Sequence, residues 1–79
     1  MGSNPASPAI SDLTNAYLFD ADLTNANLRF ADLTDADLSY ADLTDADFYS
    51  ATVTNADFTG TTWSNTMWTD GVAYDTNQA

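Results

Sequence analysis

The sequence predicts an all-β protein, a square parallel β-helix (solenoid) of about three 20-residue coils. Two observations predict this fold. The chain repeats every five residues from position 11 to position 70, with alanine at the first place from Ala16 to Ala56 and mostly aspartate at the second. The third place always holds a large apolar residue. These third-place residues are Leu13, Leu18, Leu23, Leu28, Leu33, Leu38, Leu43, Phe48, Val53, Phe58, Trp63 and Trp68.

A five-residue spacing fits neither of the regular secondary structures. In an α-helix, successive third-place residues would be rotated by about 140° and would form no apolar stripe. In a flat strand, the odd spacing would point them alternately to opposite faces. A closed coil solves the problem, because each five-residue window can form one side and then turn a corner. Four such sides return the chain to its start after 20 residues, so that successive coils stack.

The 20-residue stacking predicts four inner columns and a natural end to them. The columns are Leu13, Leu33, Val53; Leu18, Leu38, Phe58; Leu23, Leu43, Trp63; and Leu28, Phe48, Trp68. Aromatic residues collect in the last coil, where the apolar end of the solenoid must be covered. We therefore expect Trp63 and Trp68 to cap the C-terminal end, and a dimer through this aromatic end is a compatible arrangement.

The chain divides into three segments. Residues 1–10 are expected to be a flexible N-terminal arm, because two prolines there lack the amide donors that a ladder needs. The first three residues, Met-Gly-Ser, are typical of an expression vector. Residues 11–70 form the solenoid, and residues 71–79 form a C-terminal tail without helical periodicity.

The repeat resembles a known family. The windows ADLTN, ANLRF, ADLTD, ADLSY and ADFTG are similar to the pentapeptide-repeat family, whose pattern is A-(D/N)-L-x-x. The resemblance extends over residues 11–70. It implies a right-handed quadrilateral β-helix and suggests a bacterial source. Some members of this family are similar to duplex DNA in shape and charge and bind type II topoisomerases such as gyrase.

Composition excludes several classes of function. The chain of 79 residues has a net charge of −11, and Arg29 is its only basic residue. Direct binding to nucleic acid is therefore excluded, since no basic surface can neutralise phosphates, and an anionic membrane surface is disfavoured. The chain has no histidine, cysteine, lysine or glutamate, so we expect neither catalysis nor a bound cofactor. Expected partners are basic proteins, or a second copy of the chain.

The second-place carboxylates form outward columns, for which three interpretations remain open. Asp22 and Asp42, for example, stack directly. The side chains can bond the backbone nearby, bind divalent cations between coils, or imitate DNA. The rod carries one negative charge per about 1.3 Å of its length, which is similar to the one negative charge per about 1.7 Å of duplex DNA. The rod is short, however, because three coils at the spacing of β-strands measure only about 14 Å.

Outward aromatic residues interrupt the polar surface. Phe30 and Tyr40 occupy corners, with Arg29 beside them, and this patch is the best candidate for a specific contact. The function predicted is a non-catalytic module for protein interaction or structure. The first alternative is an acidic DNA mimic that binds a DNA-processing enzyme, and the second is cation binding along the aspartate columns. The candidate interaction residues are Arg29, Phe30, Tyr40, Trp63, Trp68, Asp22 and Asp42.

Overall fold

The computed structural model describes residues 11–79, and this range contains short extended segments and turns but no helix. Its two strands are β1, Thr66–Met67, and β2, Ala73–Tyr74. They pair antiparallel, with Thr66 opposite Tyr74 and Met67 opposite Ala73. The predicted arm of residues 1–10 lies outside the described range. Residues 11–79 contain no helix with the length and apolar character required to span a membrane.

Parallel β-bridges join second-place residues that are 20 positions apart. Consecutive windows enter different columns, and the fifth window returns to the column of the first. The resulting four columns are Asp12–Asp32–Thr52, Tyr17–Asp37–Asp57, Asp22–Asp42–Thr62 and Asn27–Asp47–Met67. This stacking is the arrangement of a β-solenoid, and that prediction is confirmed.

Every window except that of residues 61–65 ends in the same tight turn. The first-place amide of one window donates to the third-place carbonyl of the window before it, as Ala36 N does to Leu33 O at 2.9 Å. The fifth-place residue has a positive φ in every window from Asn15 to Asn65. A positive φ at only the third position of a turn is the pattern of type II. Asparagine, aspartate and glycine adopt it most readily, which explains why they fill most fifth places.

Ser50 provides a test of this turn geometry. It is an exposed fifth-place residue with φ of 59°, a conformation that costs an L-residue about 1 kcal/mol and glycine almost nothing. Ser50→Gly should therefore raise the free energy of unfolding in urea by about 1 kcal/mol. Thr54→Gly is the control, since Thr54 is exposed without a positive φ and glycine there should destabilise the fold. The same sign for both variants would contradict the explanation.

The core consists of two inward residues on each side of the coil, one large and one small. Leu33, Leu38, Leu43 and Phe48 in the middle coil are fully buried. The alanines that precede them by two positions are buried as completely. The first coil is less covered, and Leu13, Leu18 and Leu23 are only half-buried. Burial is therefore greatest where a coil has a neighbour on both sides.

The C-terminal end of the core is aromatic. Phe48, Phe58, Trp63 and Trp68 form one cluster, in which the two indole centroids lie 5.0 Å apart. Both tryptophans are buried. The Trp63 indole Nε1 donates a hydrogen bond to Thr61 Oγ1 at 2.7 Å, so the polar atom of this buried side chain has a partner.

The tail after residue 70 folds back onto the last coil. β2 pairs with β1, and Trp68 N donates to Val72 O at 2.9 Å. Further along the tail, Asp75 Oδ1 accepts a hydrogen bond from Asn65 N at 2.7 Å. Asn77 Nδ2 donates to Phe58 O at 2.9 Å. Residues 71–79 therefore belong to the folded unit and extend the cap that was expected from the two tryptophans alone.

Candidate interaction surface

The second-place aspartates bind the backbone of their own windows. Asp32 Oδ1 accepts hydrogen bonds from Thr34 N at 3.1 Å and from Thr34 Oγ1 at 2.6 Å. This contact across two residues is an Asx turn. Seven other second-place residues accept the fourth-place amide of their own window in the same way: Asp12, Asp22, Asn27, Asp37, Asp42, Asp47 and Asp57.

The aspartate completes the hydrogen bonding of the coil. The first-place amide donates to a carbonyl within the turn. The second-place amide donates to a carbonyl of the preceding coil, and the third- and fifth-place amides donate to carbonyls of the following coil. The fourth-place amide is left for the aspartate. In residues 31–35 the acceptors, in order, are Leu28 O, Ser11 O, Thr52 O, Asp32 Oδ1 and Thr54 O. Because it supplies the acceptor for the one amide of each window that the turn and the ladders leave over, the aspartate column has a structural role.

These hydrogen bonds favour the ionised carboxylates. They lower the pKa of Asp22, Asp32 and Asp57, and the largest cause in each is the hydroxyl of the fourth-place threonine, followed by its amide. Where the tail meets the last window, the Tyr74 hydroxyl lowers the pKa of Asp70, and the same contact raises the pKa of Tyr74. These four carboxylates therefore remain charged in the folded state at neutral pH.

The predicted patch around Phe30 and Tyr40 is divided into two groups on different sides of the coil. The first group, the arginine side, contains Arg29, Phe30 and Tyr49 beside the Asp47 column. The Arg29 Cζ lies 4.8 Å from the Tyr49 ring centroid, and its Nη1 lies 3.3 Å from Asp47 Oδ2. The Phe30 ring meets Tyr49 edge-on, with centroids 5.9 Å apart. Tyr40 has other partners.

The second group, the aromatic face, contains Tyr17, Phe19 and Tyr40 beside the Asp37 column. The rings of Tyr17 and Phe19 are stacked, with centroids 6.1 Å apart and planes 10° apart. Phe19 meets Tyr40 edge-on at 5.7 Å. A Cβ added at Gly60 would lie 2.5 Å from the Tyr40 ring, so the glycine makes room for it. Tyr17, Phe19 and Tyr49 were not among the predicted site residues. The signal for Tyr17 was present, since it breaks the second-place aspartate pattern two positions before Phe19.

The repeat geometry agrees with a comparison against known families. The Pentapeptide repeats family matches residues 11–48 and 26–65, with eight copies of the repeat. The chain belongs to the pentapeptide-repeat family. No significant match is found among curated proteins or among solved structures. The structure of this pentapeptide-repeat protein explains the family pattern, since alanine and leucine fill the core and the Asp or Asn accepts the fourth-place amide.

The remaining predicted site residues lie in different environments. Asp22 and Asp42 are bridge partners in one column, and each accepts the amide of its own threonine. Trp63 and Trp68 are buried beneath the protein's own tail, with 7% and 9% of their surface exposed. Contacts at the C-terminal end of this pentapeptide-repeat protein would therefore involve tail residues more than the indoles. Among the described residues there is no pocket and no cluster of three or more metal-ligating side chains.

Asp42 tests the structural role of the aspartate. Asp42→Ala leaves Thr44 N and Thr44 Oγ1 without their acceptor and should lower the free energy of unfolding by about 1–2 kcal/mol. Asp42→Asn keeps an Oδ1 acceptor, as Asn27 does naturally, and should cost clearly less. Urea denaturation of both variants checks the prediction. Equal losses would show that the charge of Asp42, and not its acceptor atom, stabilises this pentapeptide-repeat fold.

The lowered pKa values predict a loss of stability in acid. Because Asp22, Asp32 and Asp57 have lower pKa values when folded, the unfolded chain binds more protons as the pH falls below the ordinary value of 3.8. Their contribution is full above that value and disappears as the pH falls through the folded pKa values. Thermal midpoints measured by circular dichroism should therefore decrease as the pH is lowered through this range. A variant with all three changed to asparagine should lose less, whereas parallel curves would contradict this linkage.

Proposed function

We propose that this pentapeptide-repeat protein is a non-catalytic module that binds a protein partner through its outward aromatic side chains. We also propose that its coils form a right-handed quadrilateral β-helix, in which the four bridge columns are the four sides. The observation that carries the functional proposal is the exposure of aromatic residues at places that the fold fills elsewhere with short polar residues. The five residues are Tyr17, Phe19, Phe30, Tyr40 and Tyr49.

The repeat itself shows what the coil requires at these places. Most second places hold an aspartate or asparagine that accepts the fourth-place amide, most fourth places hold threonine, and fifth places favour asparagine, aspartate or glycine. Phe30 and Tyr40 have φ values of 64° and 63°, a conformation that aromatic residues seldom adopt. These side chains are therefore not explained by local folding. Large amphipathic rings are typical of the contact surfaces between proteins.

Composition supports a non-catalytic role. The chain contains no histidine, cysteine, lysine or glutamate, the side chains that supply most bases and nucleophiles. Seven of the twelve aspartates lie at second places, and all seven accept an amide of their own window. The same engagement makes cation binding along the columns a weaker proposal. A DNA mimic is also less well supported, because three stacked coils span only about 14 Å.

Photo-cross-linking tests the interaction role. A photoreactive phenylalanine analogue, introduced singly in place of Tyr40 or Tyr49 in the cells that express the protein, should cross-link to a recurrent protein partner. The same analogue in place of Thr54, an exposed residue outside both aromatic groups, should not. The absence of any partner at both aromatic positions, or equal cross-linking from Thr54, would contradict the proposed function.

A further inference from the structure

Arg29 shows how this protein holds a guanidinium group. The group lies over the Tyr49 ring, with its Cζ 4.8 Å from the centroid, and its Nη1 lies 3.3 Å from Asp47 Oδ2. Asp47 uses its two oxygens differently, since Oδ1 accepts the Tyr49 amide and Oδ2 faces the arginine. An aromatic ring and one outward carboxylate oxygen thus form a binding arrangement for arginine.

The aromatic face presents the same chemistry without a cation. Tyr17 pairs with Asp37 through a β-bridge, and Asp57 follows in the same column. Oδ1 of Asp37 and of Asp57 accepts the amide two residues later, as in Asp47. Within residues 11–79, Oδ2 of both carboxylates has no hydrogen-bond partner. The single basic side chain of the protein, Arg29, belongs to the other side, so no other side chain of the protein can supply a cation here.

The rings of this face are available to a partner. Tyr17 is 77% exposed, Tyr40 is 56% exposed and Phe19 is 46% exposed. Their mutual contacts hold them in one continuous surface, from the stacked pair to the edge-on contact of Phe19 with Tyr40. Gly60 provides the space beneath Tyr40, which keeps this ring against the coil. The surface is therefore arranged before any partner arrives, which lowers the entropic cost of binding.

We propose that the aromatic face of Tyr17, Phe19 and Tyr40 binds an arginine-rich segment of a partner protein. The proposal rests on the proposed function and specifies its partner. Guanidinium groups stack on the rings and pair with Oδ2 of Asp37 and Asp57. Arginine is preferred over lysine, because its planar group stacks on aromatic faces and is more weakly hydrated. The net charge of −11 attracts such a segment and repels nucleic acid and anionic lipid.

Calorimetric titration with two synthetic peptides tests the proposal. One peptide alternates arginine with glycine, and the other replaces each arginine by lysine at the same charge and length. At physiological salt, the arginine peptide should bind at least about tenfold more tightly than the lysine peptide. The reason is that arginine makes two or more stacking contacts with the rings that lysine does not make as well. Equal affinities would show that charge alone attracts the peptide and would overturn the proposal.

A triple variant separates stacking from charge. Tyr17→Asp, Phe19→Thr and Tyr40→Asn each introduce a residue that occupies the same place in other windows, so the repeat is retained. The variant also gains a negative charge. Loss of the preference for arginine, with affinity reduced about tenfold, is expected. Unchanged or tighter binding of the arginine peptide would overturn the proposal, because the rings would then contribute nothing.

Thr54→Ser, at an exposed fourth place outside both aromatic groups, provides the control and should leave peptide affinity within about twofold, provided that circular dichroism shows both variants folded. A loss equal to that of the triple variant would place the peptide elsewhere and overturn the proposal. Cross-linking distinguishes the two levels of inference. A partner captured from Tyr49 but not from Tyr40, without arginine-peptide binding, would refute this inference and leave the proposed function standing.

Discussion

Phe48→Ala should lower the free energy of unfolding by about 3–5 kcal/mol. Phe48 is fully buried in the middle of an inner column. Its ring centroid lies 5.7 Å from that of Phe58 and 5.6 Å from that of Trp68. Alanine would leave a cavity that coils held on both sides by hydrogen-bond ladders cannot close. Because small domains have a total stability of about 5–15 kcal/mol, urea denaturation should show a large shift of the midpoint.

Phe48→Leu is the control for this substitution. Leu28 occupies the same place in the coil before, so leucine fits the column. The loss should be less than half of that for alanine, since most of the buried volume is kept. If both variants lost the same free energy, the aromatic contacts with Phe58 and Trp68 would determine stability, and the cavity would not.

Deletion of residues 71–79 is the second large effect. The deletion removes the pairing of β2 with β1 and several further hydrogen bonds between the tail and the last coil, among them those accepted by Asp75 Oδ1 and Val72 O and the one donated by Asn77 Nδ2 to Phe58 O. At about 1 kcal/mol each, the loss of these last three alone should cost roughly 3 kcal/mol and lower the thermal midpoint by more than 10 °C. The indoles of Trp63 and Trp68 lose their cover, so their fluorescence should shift to longer wavelength.

The uncovered aromatic end should also associate with itself. Large exposed apolar patches are rare on monomers. Light scattering should therefore show dimers of the deletion variant at concentrations at which the full chain forms a species of lower mass. Deletion of only Gln78 and Ala79 is the control, because their hydrogen bonds remain within the tail. This shorter deletion should change neither stability nor fluorescence. An equal effect of both deletions would contradict the capping role of residues 71–77.

Most of the coil could be predicted from the sequence, because its determinants are local and repeat. The third-place residues, the first-place alanines and the 20-residue stacking followed from spacing alone, and the bridge columns agree with them. Bonding of the aspartates to nearby backbone was one of three open interpretations. The hydrogen bonds of the fourth-place amides were needed to choose among these interpretations. From the sequence alone, an outward aspartate can equally well be hydrated, bind a cation or accept a hydrogen bond from the backbone.

The tail and the aromatic surface could be predicted only in part. Tail residues 71–79 carry no period, so their pairing with β1 had no sequence signal. Phe30 and Tyr40 were placed in one patch because both occupy corners. Residues two windows apart belong to different bridge columns, and the ring contacts of Phe30 with Tyr49 and of Tyr40 with Phe19 agree with this.

The sequence by itself determined the coil of this pentapeptide-repeat protein, since an unbroken period and an alternation of large and small inward residues depend only on residue order. The tertiary structure decided which outward side chains meet. Arg29 reaches Asp47 across 18 positions, and Tyr40 lies over Gly60 across 20. Such contacts depend on how side chains turn between neighbouring coils, and residue order does not determine that direction.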